Sequence, residues 1–305
     1  MGQRSSYQRP PTSQGPFQPT ILDIILVKGY FSKVSRPLPV ELIDQILDDA
    51  SYWPHSSVTL EWDAVAASGT VSEKQDNMYM RTLPFAIYGT EGDVSLTQEH
   101  VRSVGLDAVE PFHLGMQNSE AERTKWLPPR GGNPCRKIAF QLWSEDQGWS
   151  NDSANHGTYR GSYTWFDASV ETLDHDMLNH GRVTWPAHLL IDESDGPLLV
   201  ESPFNFVRRE TDHPFLPPPT HLQRNIHAVH KIRHHTITWH YLDFIDEQSP
   251  AAIEADLNGR GWKSLDGSFV RSLKVGDCIT LWMRARFPGW TAHIVKAKIE
   301  MYWAV

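Results

Sequence analysis

Length, composition and charge limit what this chain can be before any motif is considered. Its 305 residues are 40% hydrophobic and 21% charged, which is enough apolar material for one large domain or two smaller ones. The formal net charge of −9 comes without a long basic block, whereas binding to nucleic acid through counterion release requires clustered lysine and arginine. The composition therefore argues against a nucleic-acid-binding protein.

The sequence lacks the features that direct a chain into or across a membrane. Its first residues contain no apolar core of a secretory signal, and no apolar run approaches the roughly 20 residues of a membrane span. The two cysteines, Cys135 and Cys278, are fewer than a secreted disulfide framework normally uses, and both lie beside apolar runs. We therefore expect two buried thiols and a cytoplasmic or nuclear location.

The first 56 residues divide into a polar tail and a helical segment. Residues 1–18 are rich in proline, glutamine, serine and glycine, which predicts a disordered tail. Residues 19–56 predict two short helices, and Pro39 suits the first turn of the second one. The apolar face of the first helix is predicted from Ile21, Ile24, Ile25 and Tyr30, and that of the second, over 38–49, from Leu42, Ile43, Ile46 and Leu47.

Residues 57–305 have the pattern of a β-sandwich. The chain's 12 tryptophans favour pleated, half-buried surfaces, and its 21 prolines and 20 glycines provide turns between short apolar runs. Such a pattern indicates a sandwich or a barrel, and a single sandwich is our prediction. Loop insertions are expected near 91–134, with a short helix over 97–104, and near 201–220. The predicted strands lie near 58–62, 78–82, 137–143, 163–166, 188–191, 236–241, 268–271, 278–284 and 297–305.

Two aromatic segments stand out within this β region. The first passes from an apolar strand through a polar loop with Trp149, and the second ends at Trp290. Each of these tryptophans follows a glycine in a loop, so ligand stacking and structural packing are both open interpretations. Trp143, Trp165 and Trp282 lie inside strands, where burial in the core is the favoured interpretation.

These segments resemble fungal proteins in which an F-box-like helical segment precedes a jelly-roll module. The string Leu38-Pro39-x-Glu41-Leu42-Ile43-x-x-Ile46-Leu47 matches the opening of an F-box. The Gly148-Trp149-Ser150 loop and the strand near 163–166 are similar to the jelly-roll part, which has the layout of F-box-associated and galactose-binding-like domains. The resemblance implies a mainly β, jelly-roll-like antiparallel sandwich whose helical segment docks onto a Skp-type adaptor of a cullin ubiquitin ligase. The residues alone also permit a helix that only caps the sandwich.

We therefore expect a recognition protein with two kinds of site. The helical segment would contact a partner protein. The aromatic loops would hold a peptide or glycan, with arginines as polar anchors because the planar guanidinium offers several hydrogen-bond donors. The predicted partner-binding residues are Leu38, Pro39, Leu42, Ile43, Ile46 and Leu47. The predicted ligand-binding residues are Trp149, Tyr159, Arg160, Arg284, Arg286 and Trp290.

The sequence motifs of common enzyme sites are missing. His175 and His180 are five residues apart without an intervening glutamate, so they do not form the zinc-protease pattern, and their rings would diverge on a helix. No nucleophile elbow, dinucleotide fingerprint or phosphate-binding loop occurs. We expect no metal, cofactor or catalytic residue. Two alternatives stay open: a cofactor-independent enzyme of fungal secondary metabolism with a tryptophan-lined pocket, and a scaffold for assembly.

Overall fold

Two helices open the ordered part of the chain. The structure is a computed structural model that describes residues 17–68, 75–86, 92–96, 129–173, 206–208 and 214–305. Helix α1 (Ile21–Phe31) begins with a capping box, in which the Thr20 hydroxyl and the Asp23 carboxylate each accept the other residue's backbone N–H. Helix α2 (Val40–Asp49) begins directly after Pro39, close to the predicted start. Among the described residues, no helix is long and apolar enough to cross a membrane.

The described residues also form ten strands in two sheets. The first sheet has the order β3-β1-β10-β4-β8, and the second has the order β2-β9-β5-β6, with β7 paired to β5. Every pairing is antiparallel except that of β1 with β3. The strands are β1 (His55–Ala67), β2 (Asp76–Arg81), β3 (Gly92–Leu96), β4 (Cys135–Asp146), β5 (Thr164–Leu173), β6 (Phe206–Arg208), β7 (Gln223–Arg224), β8 (Arg233–His240), β9 (Cys278–Ala285) and β10 (Thr291–Trp303).

The order of the strands is that of a jelly roll. With β3 and β7 set aside, β1-β10-β4-β8 pack against β2-β9-β5-β6, and most consecutive strands lie in opposite sheets. Side chains from the two inner faces meet in one apolar core, for example Leu60 on β1, Phe140 on β4 and Leu281 on β9. The predicted mainly β sandwich with a short N-terminal helical segment is confirmed.

Both helices pack onto the sandwich through their inner faces. Ile21 and Ile24 of α1 and Ile43 and Leu47 of α2 are buried in the same core cluster as the strands. Polar contacts add to this packing, because Lys28 Nζ donates to the Val305 carbonyl oxygen at 2.6 Å and lies 2.7 Å from the Asp44 carboxylate. The indole N–H of Trp53 donates to Asp48 at 2.8 Å. The helical segment is therefore fixed to the body of the protein.

Local capping overrides one predicted strand. Residues 268–271 were expected to be β from their apolar pair, but they form helix α4 (Ser268–Ser272). Gly267 takes a positive φ of 71°, and Asp266 accepts the backbone N–H of Ser268 at 2.7 Å, so the chain turns into a helix instead.

Other elements were not predicted from the sequence. Helix α3 (Pro250–Leu257) starts at Ser249, whose hydroxyl accepts the Ala252 N–H. Strand β3 lies inside the predicted insertion at 91–134, and β6 inside the one at 201–220. The predicted strand at 188–191, the predicted helix at 97–104 and residues 1–16 of the predicted tail lie outside the described residues.

The tryptophans are distributed differently from the prediction. Trp239 and Trp303 belong to the core cluster, whereas Trp165 and Trp282 are buried on the outer face of the second sheet. Trp143 is half-buried on the outer face of the first sheet, where its ring stacks on His234 at 4.2 Å. Both cysteines are buried free thiols, as expected, and burial raises their pKa. The position of these tryptophans within strands thus predicted their burial in most cases. It did not predict which face of the sheet each side chain occupies.

Candidate functional site

The predicted partner-binding residues divide between the two faces of α2. Ile43 and Leu47 are buried, and Leu38 is half-buried against the core, so these three side chains hold the helix to the sandwich. Pro39 is exposed, and the outer face of α2 leaves Leu42 and Ile46 at 48% and 42% exposure. The accessible part of the predicted set is therefore smaller than the F-box-like string.

Helix α1 supplies apolar surface that the sequence analysis missed. Leu22, Leu26 and Tyr30 are 53%, 71% and 69% exposed, and their spacing of four residues places them along one side of the helix. The prediction that Tyr30 shares the buried face of Ile21 was wrong, since nine residues turn a helix by about 180° beyond two full turns. We call Leu22, Leu26, Tyr30, Leu42 and Ile46 together the helical surface.

The two loop tryptophans lie together at one end of the sandwich. The Trp149 ring packs on Gly289, where an added Cβ would lie 2.9 Å from the ring, yet the side chain stays 58% exposed. Trp290 is half-buried, and its ring meets those of Tyr163 and His227 edge to face, each at 5.1 Å between centroids. Trp149 is therefore the more accessible platform, whereas Trp290 has structural contacts on two sides.

A serine–histidine pair lies beside these rings. Ser150 Oγ is 2.5 Å from His227 Nε2, and His227 Nδ1 is 2.8 Å from the Arg160 carbonyl oxygen. Because the carbonyl can only accept, Nδ1 carries the proton and Nε2 accepts from the hydroxyl. The same hydroxyl accepts the Asp152 N–H at 3.1 Å and lies 3.1 Å from His156 Nε2. These contacts join the loop that carries Ser150 to the loop that carries His227.

The other predicted ligand contacts are spread over different surroundings. Tyr159 packs against Gly259 and places its hydroxyl 3.4 Å from His235 Nδ1. The Arg160 side chain is exposed, while its carbonyl holds His227. The structure therefore brings Trp149 and Trp290 together but gives Tyr159 separate contacts.

Arg284 and Arg286 are paired rather than free to anchor a ligand. Both lie on the outer face of the second sheet, where Arg284 is only 1% exposed. Arg284 contacts Asp76 at 2.8 Å and Asp167 at 3.0 Å, and Arg286 contacts Asp76 at 2.8 Å. Burial works to raise the pKa of Asp76, but the two guanidiniums outweigh it and hold the pKa below its usual value. Both arginines were predicted as polar anchors for a ligand, and the structure places their guanidiniums on carboxylates of the protein itself.

A groove of about 490 Å³ lies beside this charged network. It was not predicted, because its side chains come from β5, β8, β9, the 214–220 loop and the residues around α4. Burial, the largest influence, raises the pKa of Asp167 in spite of its contact with Arg284. The lining residues are Asp167, Ala168, Ser169, Pro214, Pro218, Thr220, Trp239, Lys263, Ser264, Ser268, Phe269, Ser272 and Arg284.

Neither the side-chain clusters nor the comparisons with known proteins identify a chemistry. Within the described ranges, no three histidine, cysteine, aspartate or glutamate side chains are placed to hold a metal ion. His175 and His180 lie outside those ranges. Comparison of the chain with protein-family models, with curated proteins and with solved structures finds no match.

Proposed function

We propose that this protein is a recognition protein that binds a partner protein through its helical surface. The observation that carries the proposal is the division of both helices into a buried face and an exposed apolar face. The inner faces are fixed to the core by Ile21 and Ile24 of α1 and by Ile43 and Leu47 of α2. From the outer side of α1 project Leu22, Leu26 and Tyr30. Apolar residues at four-residue spacing are the anchors of helix-in-groove recognition.

The rigid attachment of the helices supports the same proposal. A helix that already has its bound conformation loses less conformational freedom on binding, so more of the contact energy appears as affinity. Here the core packing of Ile24 and Ile43 and the Lys28 contacts hold the helical surface in place before a partner arrives. Exposed Glu41 and Asp49 lie on the same helix as Leu42 and Ile46 and provide a polar rim.

The partner that the F-box resemblance implies is a Skp-type adaptor of a cullin ubiquitin ligase. On this proposal the chain is a substrate adaptor, with the sandwich as the part that recognises the substrate. Trp149 is the predicted ligand contact with the greatest exposed apolar area, so it is our candidate for the substrate-facing platform.

The packing of the sandwich favours recognition over the alternative of an enzyme with a tryptophan-lined pocket. Aliphatic and aromatic side chains fill the space between the sheets, including Phe140, Ile237 and Ile299. The groove beside the second sheet has Trp239 as the one tryptophan among its described lining residues.

Co-purification with a Skp-type adaptor tests the proposal. Leu42→Asp with Ile46→Asp should abolish capture while leaving the fold intact, because these side chains are already 48% and 42% exposed and lie outside the core. The matched control is Ile253→Asp with Leu257→Asp on α3, since these residues have the same spacing and are 60% and 49% exposed. Failure of the unaltered chain to capture the adaptor, or equal loss in both double variants, would contradict the proposal.

A further inference from the structure

The loops at one end of the sandwich hold a serine hydroxyl against a histidine base. Ser150 Oγ lies 2.5 Å from His227 Nε2, and the protonated Nδ1 of the same ring donates to the Arg160 carbonyl oxygen at 2.8 Å. The hydroxyl therefore donates to an unprotonated ring nitrogen, which is the geometry that activates a serine as a nucleophile. An acceptor that orients the far ring nitrogen is the third part of such an arrangement, and here a backbone carbonyl supplies it.

The position of His227 is fixed by the backbone around it. The side chain is fully buried, its backbone N–H donates to the Thr158 carbonyl oxygen at 2.7 Å, and its carbonyl oxygen accepts the Gly157 N–H at 3.0 Å. The next residue, Ala228, has a positive φ of 54°, and the Asp146 carboxylate accepts its N–H at 3.0 Å. Strained backbone that its surroundings hold in place is concentrated at functional sites. The base is therefore preorganised for proton transfer.

Further N–H donors surround the serine hydroxyl. The Asp152 N–H donates to Ser150 Oγ at 3.1 Å, and His156 Nε2 lies 3.1 Å from this oxygen and 3.2 Å from the Ser150 carbonyl oxygen. Because a carbonyl oxygen only accepts, His156 Nε2 carries a proton. The Asn151 N–H makes no hydrogen bond to any described residue. Donors in these positions can stabilise the negative charge that develops beside Oγ during acyl transfer.

The surroundings of the hydroxyl suit a small, apolar ester. Ser150 is half-buried, so a substrate can approach it from solvent, and it follows Trp149, whose side chain is 58% exposed and can pack on an apolar group. The neutral Arg160 carbonyl stabilises a protonated His227 less than a carboxylate would. Esters with a good leaving group need the least help from that proton, so they fit this pair better than amides do.

We propose that Ser150 and His227 form a catalytic dyad that hydrolyses small apolar or aromatic esters. As Ser150 Oγ attacks the ester carbonyl carbon and an O–C bond forms, its proton passes to His227 Nε2. His227 gives this proton to the leaving alcohol oxygen as the ester C–O bond breaks. A water molecule then releases the acyl group as a carboxylic acid by the same proton transfers and restores the serine. This activity is separate from partner binding at the helical surface.

Labelling with a fluorophosphonate probe and hydrolysis of p-nitrophenyl acetate test the dyad in the full chain. The probe should form a P–O bond to Ser150 Oγ with loss of fluoride, at a site identified by peptide mass spectrometry. Ser150→Ala should remove both the label and the hydrolysis, whereas Ser153→Ala, at an exposed serine three residues further on, should change neither. His227→Gln removes the base and should slow hydrolysis about a hundredfold.

The controls separate a catalytic serine from other causes of ester cleavage. Exposed histidines can cleave p-nitrophenyl acetate without a serine, so hydrolysis that survives in Ser150→Ala overturns the proposal, as does the absence of label on Ser150. A folded His227→Gln chain that keeps the full rate also overturns it. Near-UV circular dichroism verifies the fold, and if His227→Gln does not fold, the two serine variants decide alone. Adaptor capture reports on the helical surface, so its result leaves this one unaffected.

Discussion

The outer faces of the two sheets are built on different principles. On the first sheet, β8 alternates between exposed and buried residues, so that Thr236 and Thr238 face solvent while Ile237 and Trp239 enter the core. On the second sheet, every residue of β9 is buried. The side chains on its outer face include Arg284 and Trp282, which most sandwiches would leave at the surface.

This difference shows that a polar residue on a strand does not by itself mark the solvent side. The charged side chains on the outer face of the second sheet can be buried because they form ion pairs with one another. Arg81 lies 2.5 Å from Glu171, and Arg284 bridges Asp76 and Asp167. Burying a charge is tolerable only with such partners, so the covered face depends on each member of the network.

The largest expected effect comes from breaking the network on the second sheet. Arg284→Met leaves the half-buried Asp167 without its cation and leaves Asp76 with Arg286 as its remaining described cation, and we expect a loss of about 3–5 kcal/mol in the free energy of unfolding. Lys296→Met on the first sheet removes a contact with exposed Glu61 and should cost less than about 1 kcal/mol. Urea unfolding followed by tryptophan fluorescence measures both. Equal losses would mean that the two faces do not differ as described.

Tryptophan substitutions sharpen the same comparison. Trp282 is buried, and its indole N–H donates to Thr280 at 3.0 Å, so Trp282→Leu should cost about 2–3 kcal/mol through lost packing. Trp143→Leu should cost about 1 kcal/mol or less, because this ring is half-buried and stacks on an exposed histidine. Thermal unfolding of the two variants, with near-UV circular dichroism to verify the fold, gives the ranking. A larger loss at Trp143 would reverse it.

An unpaired buried carboxylate in the first sheet should make stability depend on pH in the direction opposite to that of a paired carboxylate. Burial raises the pKa of Asp146 to about 7 despite N–H donors that include Ala228, and no described cation pairs with it. The unfolded value is about 3.9, so the protonated form stabilises the fold fully below that pH, and this contribution is lost as the pH rises through 7.

Asp146→Asn should remove that dependence. Melting temperatures at pH 4.5, 6 and 7.5 should fall less with rising pH in the variant than in the unaltered chain. Glu61→Gln, at an exposed carboxylate, serves as the control and should leave the slope unchanged. If the melting temperature of Asp146→Asn fell with pH as steeply as that of the unaltered chain, the Asp146 carboxyl would not be the source of the pH dependence. Asp76 should give the opposite pH dependence of stability, because its pKa is lowered and its contribution to stability is lost as the pH falls.

The smallest effect on stability is expected at the helical surface. Leu26→Ser replaces a side chain that is mostly in solvent and should change the free energy of unfolding by no more than about 0.5 kcal/mol. A loss of several kcal/mol in chemical unfolding would place Leu26 inside the folded body and remove it from any docking surface.

The sequence predicted those elements that depend on long apolar runs, and it did not predict those that depend on local capping contacts or on the pairing of distant strands. Strands β4 and β9 were predictable, because long apolar and aromatic runs leave few alternatives. Helix α4 was not, since Phe269 and Val270 favour a strand, and the Asp266 and Gly267 capping contacts that decide the outcome are local details. The face to which Trp165 and Trp282 belong depends on register between distant strands.

The sites were predictable to a smaller degree. Arg284 and Arg286 were predicted to act beside the loop tryptophans, whereas Arg286 lies 5.3 Å from the centre of the Trp165 ring on β5. Their acid partners come from other strands, and no local pattern reveals that pairing. The groove combines Asp167 with residues about a hundred positions later, which only the jelly-roll crossing of the chain brings together.

Hydrogen–deuterium exchange of the full chain, with and without a purified Skp-type adaptor, tests the proposed docking most directly. Partner binding should slow amide exchange in α1 and α2, including the turns around Leu26 and Leu42, and leave β8 and β9 unchanged. The account would be contradicted if the adaptor caused no protection, or if the protected amides lay in the sandwich and not in the helices.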